Sequence, residues 1–170
     1  MNKSVKKITF SAIVAALYFV LCVIEGNLAS GFMVNIRLAE GLLVLALFCP
    51  EVVVGCTIGC FLFNLLFGFG IYDALIGTTA TLLGGALIIL IGKLTKKDYV
   101  RLPLFGLGLV ILNAILVPIV LIISLPEELT WASYWVEMGI VALGELIAVY
   151  GVGIPLYYAL KKPLSHLFGE

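Results

Sequence analysis

Apolar residues fill six runs along the chain, at positions 8–24, 38–49, 52–67, 74–92, 102–125 and 136–160, and short polar breaks separate them. A helix needs roughly 20 apolar residues to cross a bilayer, with some tolerance for shorter ones. The pattern therefore predicts an all-α integral membrane bundle of six transmembrane helices, forming a single domain over residues 1–170. Runs two and three are short and meet at a tight Pro50-Glu51 turn. They can also be read as one buried or re-entrant hairpin, which would leave five spans. Six is favoured because an even number returns both termini to one side, where the basic residues gather.

Those residues are Lys3, Lys6 and Lys7 before run one, Lys93, Lys96, Lys97 and Arg101 after run four, and Lys161 and Lys162 after run six. The positive-inside rule makes that side cytoplasmic, with both termini inside a cell (plasma) membrane. The outer loops are then 25–37, 68–73 and 126–135, whose only basic residue is Arg37. Lys3, Lys6 and Lys7 resemble the charged start of a signal peptide, but no small-residue cleavage site follows, and run one reads as a retained span.

Composition agrees: 63% of residues are hydrophobic and 12% charged, against about 25% charged in soluble domains. The formal net charge is zero, so nothing in it points to nucleic acid. Cys22, Cys49, Cys56 and Cys60 all lie in apolar runs, with no C-x-x-C pair and no neighbouring His, and read as small packing residues.

Ionisable groups within a membrane are costly and normally face a cavity or one another. Here they crowd toward the outer half: Glu25 ends run one, Arg37 and Glu40 open run two, Asn64 lies late in run three, Asp73 opens run four, and Glu137 and Glu145 lie early in run six. The inner halves hold almost nothing comparable. The layout predicts a polar pocket open to the outside above an apolar floor, and argues against a continuous ion relay. Arg37 and Glu40 share a helix face and are placed to pair. Glu145 lies about 15 Å into its span at the helical rise, and Glu137 is offset by about 80° around the same helix. Trp131, Tyr134 and Trp135 before run six, with Tyr72 after run three, read either as an interfacial aromatic belt or as a face on which a flat ligand stacks. His166 takes no role. No nucleophile-base pair, metal-ligand cluster or phosphate-cradling loop is present, so the chain reads as a binding protein and not as an enzyme.

Small residues recur at helical spacing, as expected where helices pack in lipid: Ala12 with Ala16, Gly55 with Gly59, Gly77 with Gly84 and Gly85, and Gly151 with Gly153. Ala12 and Ala16 lie near the cytoplasmic end of run one, where a membrane-embedded partner can dock.

The segments VNIRLAEGLLVL (34–45), GCFLFNLLFGFGIYDALIGTTATLLGGAL (59–87) and GELIAVYGVGIPL (144–156) resemble the QueT family of queuosine-precursor transporters. Its members are substrate-binding S components of energy-coupling factor transporters. The resemblance implies a six-helix protein that captures a 7-deazaguanine such as preQ0 or preQ1, or queuine, from outside. It implies partners too: a transmembrane coupling subunit, docked against Ala12 and Ala16, and two ATPase subunits that hydrolyse ATP, with no cofactor in this chain. For such a ligand, Glu145 or Glu40 would accept the adjacent N–H donors of a guanine-like edge. Glu137, Asp73 or Glu25 would meet an aminomethyl cation, Asn64 would bond the ring's polar edge, and Trp131, Tyr134 or Trp135 would cover its face. The competing readings are an S component for riboflavin, thiamin or biotin, a stand-alone secondary carrier, and a structural or assembly protein whose acids merely pair with Arg37.

Overall fold

The computed structural model describes residues 2–30, 35–125 and 130–168, all of them in helices or their connections. In chain order the elements are α1 (Lys3–Glu25), α2 (Asn27–Ser30), a 3₁₀ helix (Leu38–Leu47), α3 (Val52–Phe67), α4 (Ile71–Leu94), α5 (Asp98–Phe105), α6 (Leu107–Ser124), α7 (Tyr134–Leu146), a π-helical segment (Ile147–Val152) and α8 (Gly153–Phe168). Among the described residues four segments are long and apolar enough to cross a membrane, namely Lys3–Glu25, Ile71–Leu94, Asp98–Ser124 and Tyr134–Phe168, while Leu38–Leu47 and Val52–Phe67 are shorter. Their outer faces carry exposed Ile13, Leu17, Val20, Leu83, Leu87, Leu90, Ile111, Ile115 and Leu143. An apolar surface of this extent is suited to lipid and not to water.

The fifth and sixth apolar runs are interrupted. The former divides into α5 and α6 at Gly106, and the latter is carried through the six-residue π-helical segment.

The second run is the axis of the molecule. Every residue from Ala39 to Cys49 is buried, and the 3₁₀ helix packs against α1, α3, α4, α8 and the π-helical segment. A helix apolar on all sides must be enclosed on all sides. The 3₁₀ geometry also stretches it: ten residues rise about 20 Å, against about 15 Å in an α-helix. Around this column α1, α3, α4, α6 and α7 follow one another as packed neighbours.

Glycines set the closest approaches. A Cβ on Gly55 would overlap the backbone of Ser11, and one on Gly59 would come within 2.8 Å of the Ala15 carbonyl, so α1 and α3 touch almost backbone to backbone. Gly41 plays the same part between the 3₁₀ helix and the π-helical segment, where its Cβ would lie 2.8 Å from the Ala148 carbonyl. The inward face of α1 is Ser11, Val14, Tyr18 and Cys22, a three-and-four spacing that leaves Ala12 and Ala16 on the outside.

At one end of the bundle Lys7 Nζ pairs with Glu51 at 2.9 Å, fastening the start of α1 to the turn before α3. Burial works to raise the Glu51 carboxyl, but hydrogen bonds from Lys7, the local backbone and Cys49 together outweigh it, and the group sits below the ordinary carboxylate value. Phe10 packs on Phe168 at the same end, and Lys161 reaches Asp98, so the basic clusters before α1, after α4 and along α8 share one face.

Candidate functional site

Glu40 is completely buried on the 3₁₀ helix. Tyr18 of α1 donates its hydroxyl to Glu40 Oε1 at 2.5 Å, and Thr81 of α4 donates to the same oxygen at 2.9 Å. Glu40 Oε2 has no partner. Placing a carboxylate here costs several kcal/mol unless donors or a counter-charge offset it, and two hydroxyls on one oxygen leave the second oxygen available.

The counter-charge is Arg37, just before the 3₁₀ helix and 6% exposed. The expected direct Arg37–Glu40 pair is replaced by another arrangement. The Arg37 guanidinium donates through Nε and Nη2 to the Ala29 carbonyl at 3.3 and 3.1 Å, and through Nη1 to Cys60 Sγ at 3.6 Å, with the Phe63 ring 5.7 Å away. It acts on Glu40 as a nearby charge, and also on Glu25, Asp73 and Glu145. The reason is geometric: the backbone at Arg37 is extended (φ −110°, ψ 86°), so helical spacing does not yet apply there.

Asn64 and Asp73 close the α3–α4 end of the cluster. Asn64 Nδ2 donates to Cys60 Sγ at 3.4 Å and to the Asp73 carbonyl at 3.3 Å, leaving Oδ1 without a donor, while Asp73 Oδ2 accepts from the Phe69 amide at 3.1 Å. Asp73 thus holds the Gly68–Gly70 turn, whose Gly70 adopts φ 88°. Cys60 is therefore more than a packing residue, since its sulfur also lies 3.4 Å from the Thr81 hydroxyl oxygen, within reach of a weak thiol hydrogen bond.

Glu145 enters from the last turn of α7, 4% exposed, two residues before the π-helical segment. It is an electrostatic neighbour of Glu40 and Arg37 and lies beside Asn113 of α6. Its Oε2 and Asn113 Nδ2 both lack an aligned hydrogen bond. Gly144 allows this placement, because a Cβ there would collide with the Asn35 carbonyl. Glu137 is also buried, with Oε2 unpartnered. The Glu25 carboxyl faces the Leu38 and Ala39 amides without a well-aligned bond.

The aromatics lie elsewhere. Trp131, Trp135 and Tyr72 are 64%, 70% and 57% exposed, and Tyr134 is half-buried, bonding the Ile115 carbonyl at 3.0 Å. Trp131, Tyr134 and Trp135 form their own ring cluster at the start of α7. Their exposure fits the interfacial belt better than the ligand-stacking alternative. The neighbouring loop residues 126–129 and 31–34 fall outside the described residues.

Sequence reasoning missed Tyr18, Cys60, Thr81 and Asn113. Each is a polar or hydrogen-bonding residue within an otherwise apolar run, and for Tyr18 the helical spacing with Ser11 and Cys22 was the available signal. Among the described residues no group of His, Cys, Asp or Glu is arranged to hold a metal.

The Gly144 contact predicts that G144A pushes residues 35–37 aside and lowers stability by about 1–3 kcal/mol, as overpacking does. G139A, whose Cβ would meet nothing within 4 Å, is expected to be neutral. Thermal unfolding of the detergent-solubilised protein, followed by tryptophan fluorescence, compares the two.

Comparison with known proteins adds one finding. No curated protein and no solved structure matches the chain. The family model of the QueT transporter matches residues 8–162. That match spans nearly all of the 170 residues, and the chain belongs to the QueT transporter family, whose members are transport proteins and not enzymes.

Proposed function

We propose that this chain is the substrate-binding S component of an energy-coupling factor importer and captures a queuosine precursor from outside the cell. The observation that carries this reading is the acceptor excess of the buried cluster. Glu40 Oε2, Glu145 Oε2 and Asn64 Oδ1 are buried acceptors without donors, and Asn113 Nδ2 is a donor without an acceptor. Buried polar groups are normally satisfied, so orphans on neighbouring elements favour a ligand that completes them. A 7-deazaguanine has the matching inventory: adjacent ring and exocyclic N–H donors for one carboxylate, a carbonyl for Asn113 and, in the aminomethyl form, a cation for a second acid. Bonds to ionised acceptors are the strong ones.

In this reading all six apolar segments cross the membrane, the stretched 3₁₀ helix among them. The basic end faces the cytoplasm, in keeping with the positive-inside rule. The Glu40–Glu145 cluster, buried in the ligand-free chain, would then lie toward the outer half, with the aromatic residues of α7 at the outer interface. The apolar packing of Val44, Leu45, Leu47 and Phe48 below Glu40 seals the pocket from the inside, which suits capture followed by delivery within a complex and does not suit a channel.

The coupling subunit has a natural seat. Ala12 is exposed on α1 and lines an apolar groove of about 310 Å³ with Ile8, Ala15, Val54, Gly55 and Ile58, and Ala16 is exposed one turn further on. Small residues let a partner helix approach closely in lipid. ATP is hydrolysed by two partner ATPase subunits.

Calorimetric titration of the purified chain with preQ0, preQ1, queuine, riboflavin, thiamin and biotin tests the ligand. A deazaguanine is expected to bind, and E145A is expected to weaken it by about 1.5–3 kcal/mol, roughly ten- to a hundredfold in Kd. Saturable binding of one of the vitamins alone would refute the substrate assignment. For docking, A12W or A16W should abolish copurification with the coupling subunit while leaving deazaguanine affinity unchanged; an intact complex would count against that face.

A further inference from the structure

The buried cluster holds more acid than its one cation can balance. Glu40 and Glu145 are both buried, Glu145 feels the charge of Glu40, and both feel that of Arg37. Arg37 acts on Asp73 and Glu25 as well, so among the described residues one guanidinium stands among four carboxyls. The cations further along the same helices are distant. Lys7 lies eleven residues before Tyr18 on α1, about 17 Å at the helical rise, and Lys93 lies twelve residues beyond Thr81 on α4, about 18 Å. Lys7 is moreover paired with Glu51, and Arg101 and Lys161 meet Asp98.

The acids differ in what else holds them. Asp73 Oδ2 accepts from the Phe69 amide, and the Glu25 carboxyl faces the Leu38 and Ala39 amides. Glu40 Oε1 accepts from Tyr18 and Thr81. Glu145 has Asn113 beside it, and its Oε2, like Glu40 Oε2, is a buried oxygen without a partner. The elements packed around this pair bring no further cation near it. α1 adds Cys22, α3 adds Cys56 and Cys60, the π-helical segment adds Tyr150, which bonds the Pro103 carbonyl, and α8 adds Tyr157, whose hydroxyl meets Asp98. α6 has no titratable side chain, and α7 adds another acid, Glu137, about 12 Å along the helix from Glu145. Carboxylates that act on one another in a low-dielectric interior do not both ionise cheaply, and such a pair retains a proton.

We propose that the pocket selects a ligand bearing a protonated amine, and that this ammonium takes the place of one proton held between Glu40 and Glu145. The inference deepens the substrate reading above and rests on it. In the ligand-free chain the pair carries one proton and a single negative charge, which Arg37 balances. A cationic ligand brings its own positive charge, so the carboxyl proton leaves to solvent and both carboxylates are ionised. One then takes the ammonium and the other the N–H edge of the ring. The charge of the cluster is the same before and after, since one proton departs as one ammonium enters. A neutral ligand has nothing to exchange for the proton and leaves it in place. The favoured base is therefore a deazaguanine whose side arm carries a charged amine, and the nitrile form is the weaker ligand.

Titration calorimetry of the full chain in detergent, run in phosphate and in Tris buffer, whose ionisation heats differ, counts the protons exchanged on binding. The probes are preQ1, its hydroxymethyl analogue, which is nearly equal in size and uncharged, and preQ0. PreQ1 should bind about ten- to a hundredfold more tightly than the hydroxymethyl base. It should release about one proton per ligand, and the two neutral bases none. Because a proton is a product of preQ1 binding, its Kd should fall by up to about tenfold per unit rise in pH while the pair still holds that proton, with the Kd of the hydroxymethyl base level. E145Q, which leaves Glu40 alone with Arg37, should abolish the release and bring the two affinities together. Equal affinities in the wild type, or preQ1 binding without proton release, would overturn the inference and leave the substrate assignment standing. Failure of every deazaguanine to bind would overturn both. The wild-type comparison decides the matter even where E145Q does not fold.

Discussion

A carboxylate at the centre of an apolar bundle is the constraint around which the rest of the structure is arranged. Glu40 sits on a helix whose every side is covered, so it can be stabilised only by groups delivered from neighbouring elements. Tyr18 comes from α1 and Thr81 from α4, both on one oxygen. Arg37 supplies the charge from the residue just outside the 3₁₀ helix, anchored on Ala29 and Cys60. Removing both hydroxyls would leave the buried carboxylate without a donor, which costs more than the bonds are worth when made. The network therefore also fixes how α1, α3 and α4 sit around the central column.

The same arrangement explains why the polar groups cluster. Once one carboxylate and one guanidinium have been placed in the low-dielectric interior, each further polar residue is cheapest beside them, where charges and dipoles act on one another strongly. Glu145, Asn113, Asn64 and Asp73 all gather there, brought by α7, α6, α3 and α4 respectively. Close backbone approach makes this possible at Gly144, where the segment before the 3₁₀ helix passes against α7. The π-helical segment following Glu145 packs on the 3₁₀ helix, and wide turns of this kind often accompany functional sites. The opposite half of the column, from Val44 to Cys49, itself carries only buried hydrophobic side chains.

Much of this was legible in the order of residues. The six apolar runs correspond to helical segments, while Glu40, Asn64, Asp73 and Glu145, expected around a pocket open to the outside, are buried. What could not be read was conformation inside an apolar run. Leucine-rich residues 38–47 say that the segment is buried, but not that it adopts 3₁₀ geometry, because a stretched helix is selected by the space between its neighbours and not by local propensity. The extended backbone at Arg37 redirected its side chain to Ala29 and Cys60, so an i,i+3 argument failed where no helix yet existed. Tyr18, Cys60 and Thr81 were hidden for a related reason: each is common in apolar runs, and its role comes only from what stands opposite. The aromatics near α7 were visible as a group, yet whether they face ligand or lipid depends on the rotation of a helix end.

A structure of the chain determined with a bound deazaguanine would test the central claim most directly. The base is expected between the 3₁₀ helix and α7, its N–H edge within hydrogen-bonding distance of Glu40 or Glu145 and its carbonyl toward Asn113. A base lodged instead against Tyr72, Trp131 and Trp135, with Glu40 Oε2 and Glu145 Oε2 still unoccupied, would contradict the account.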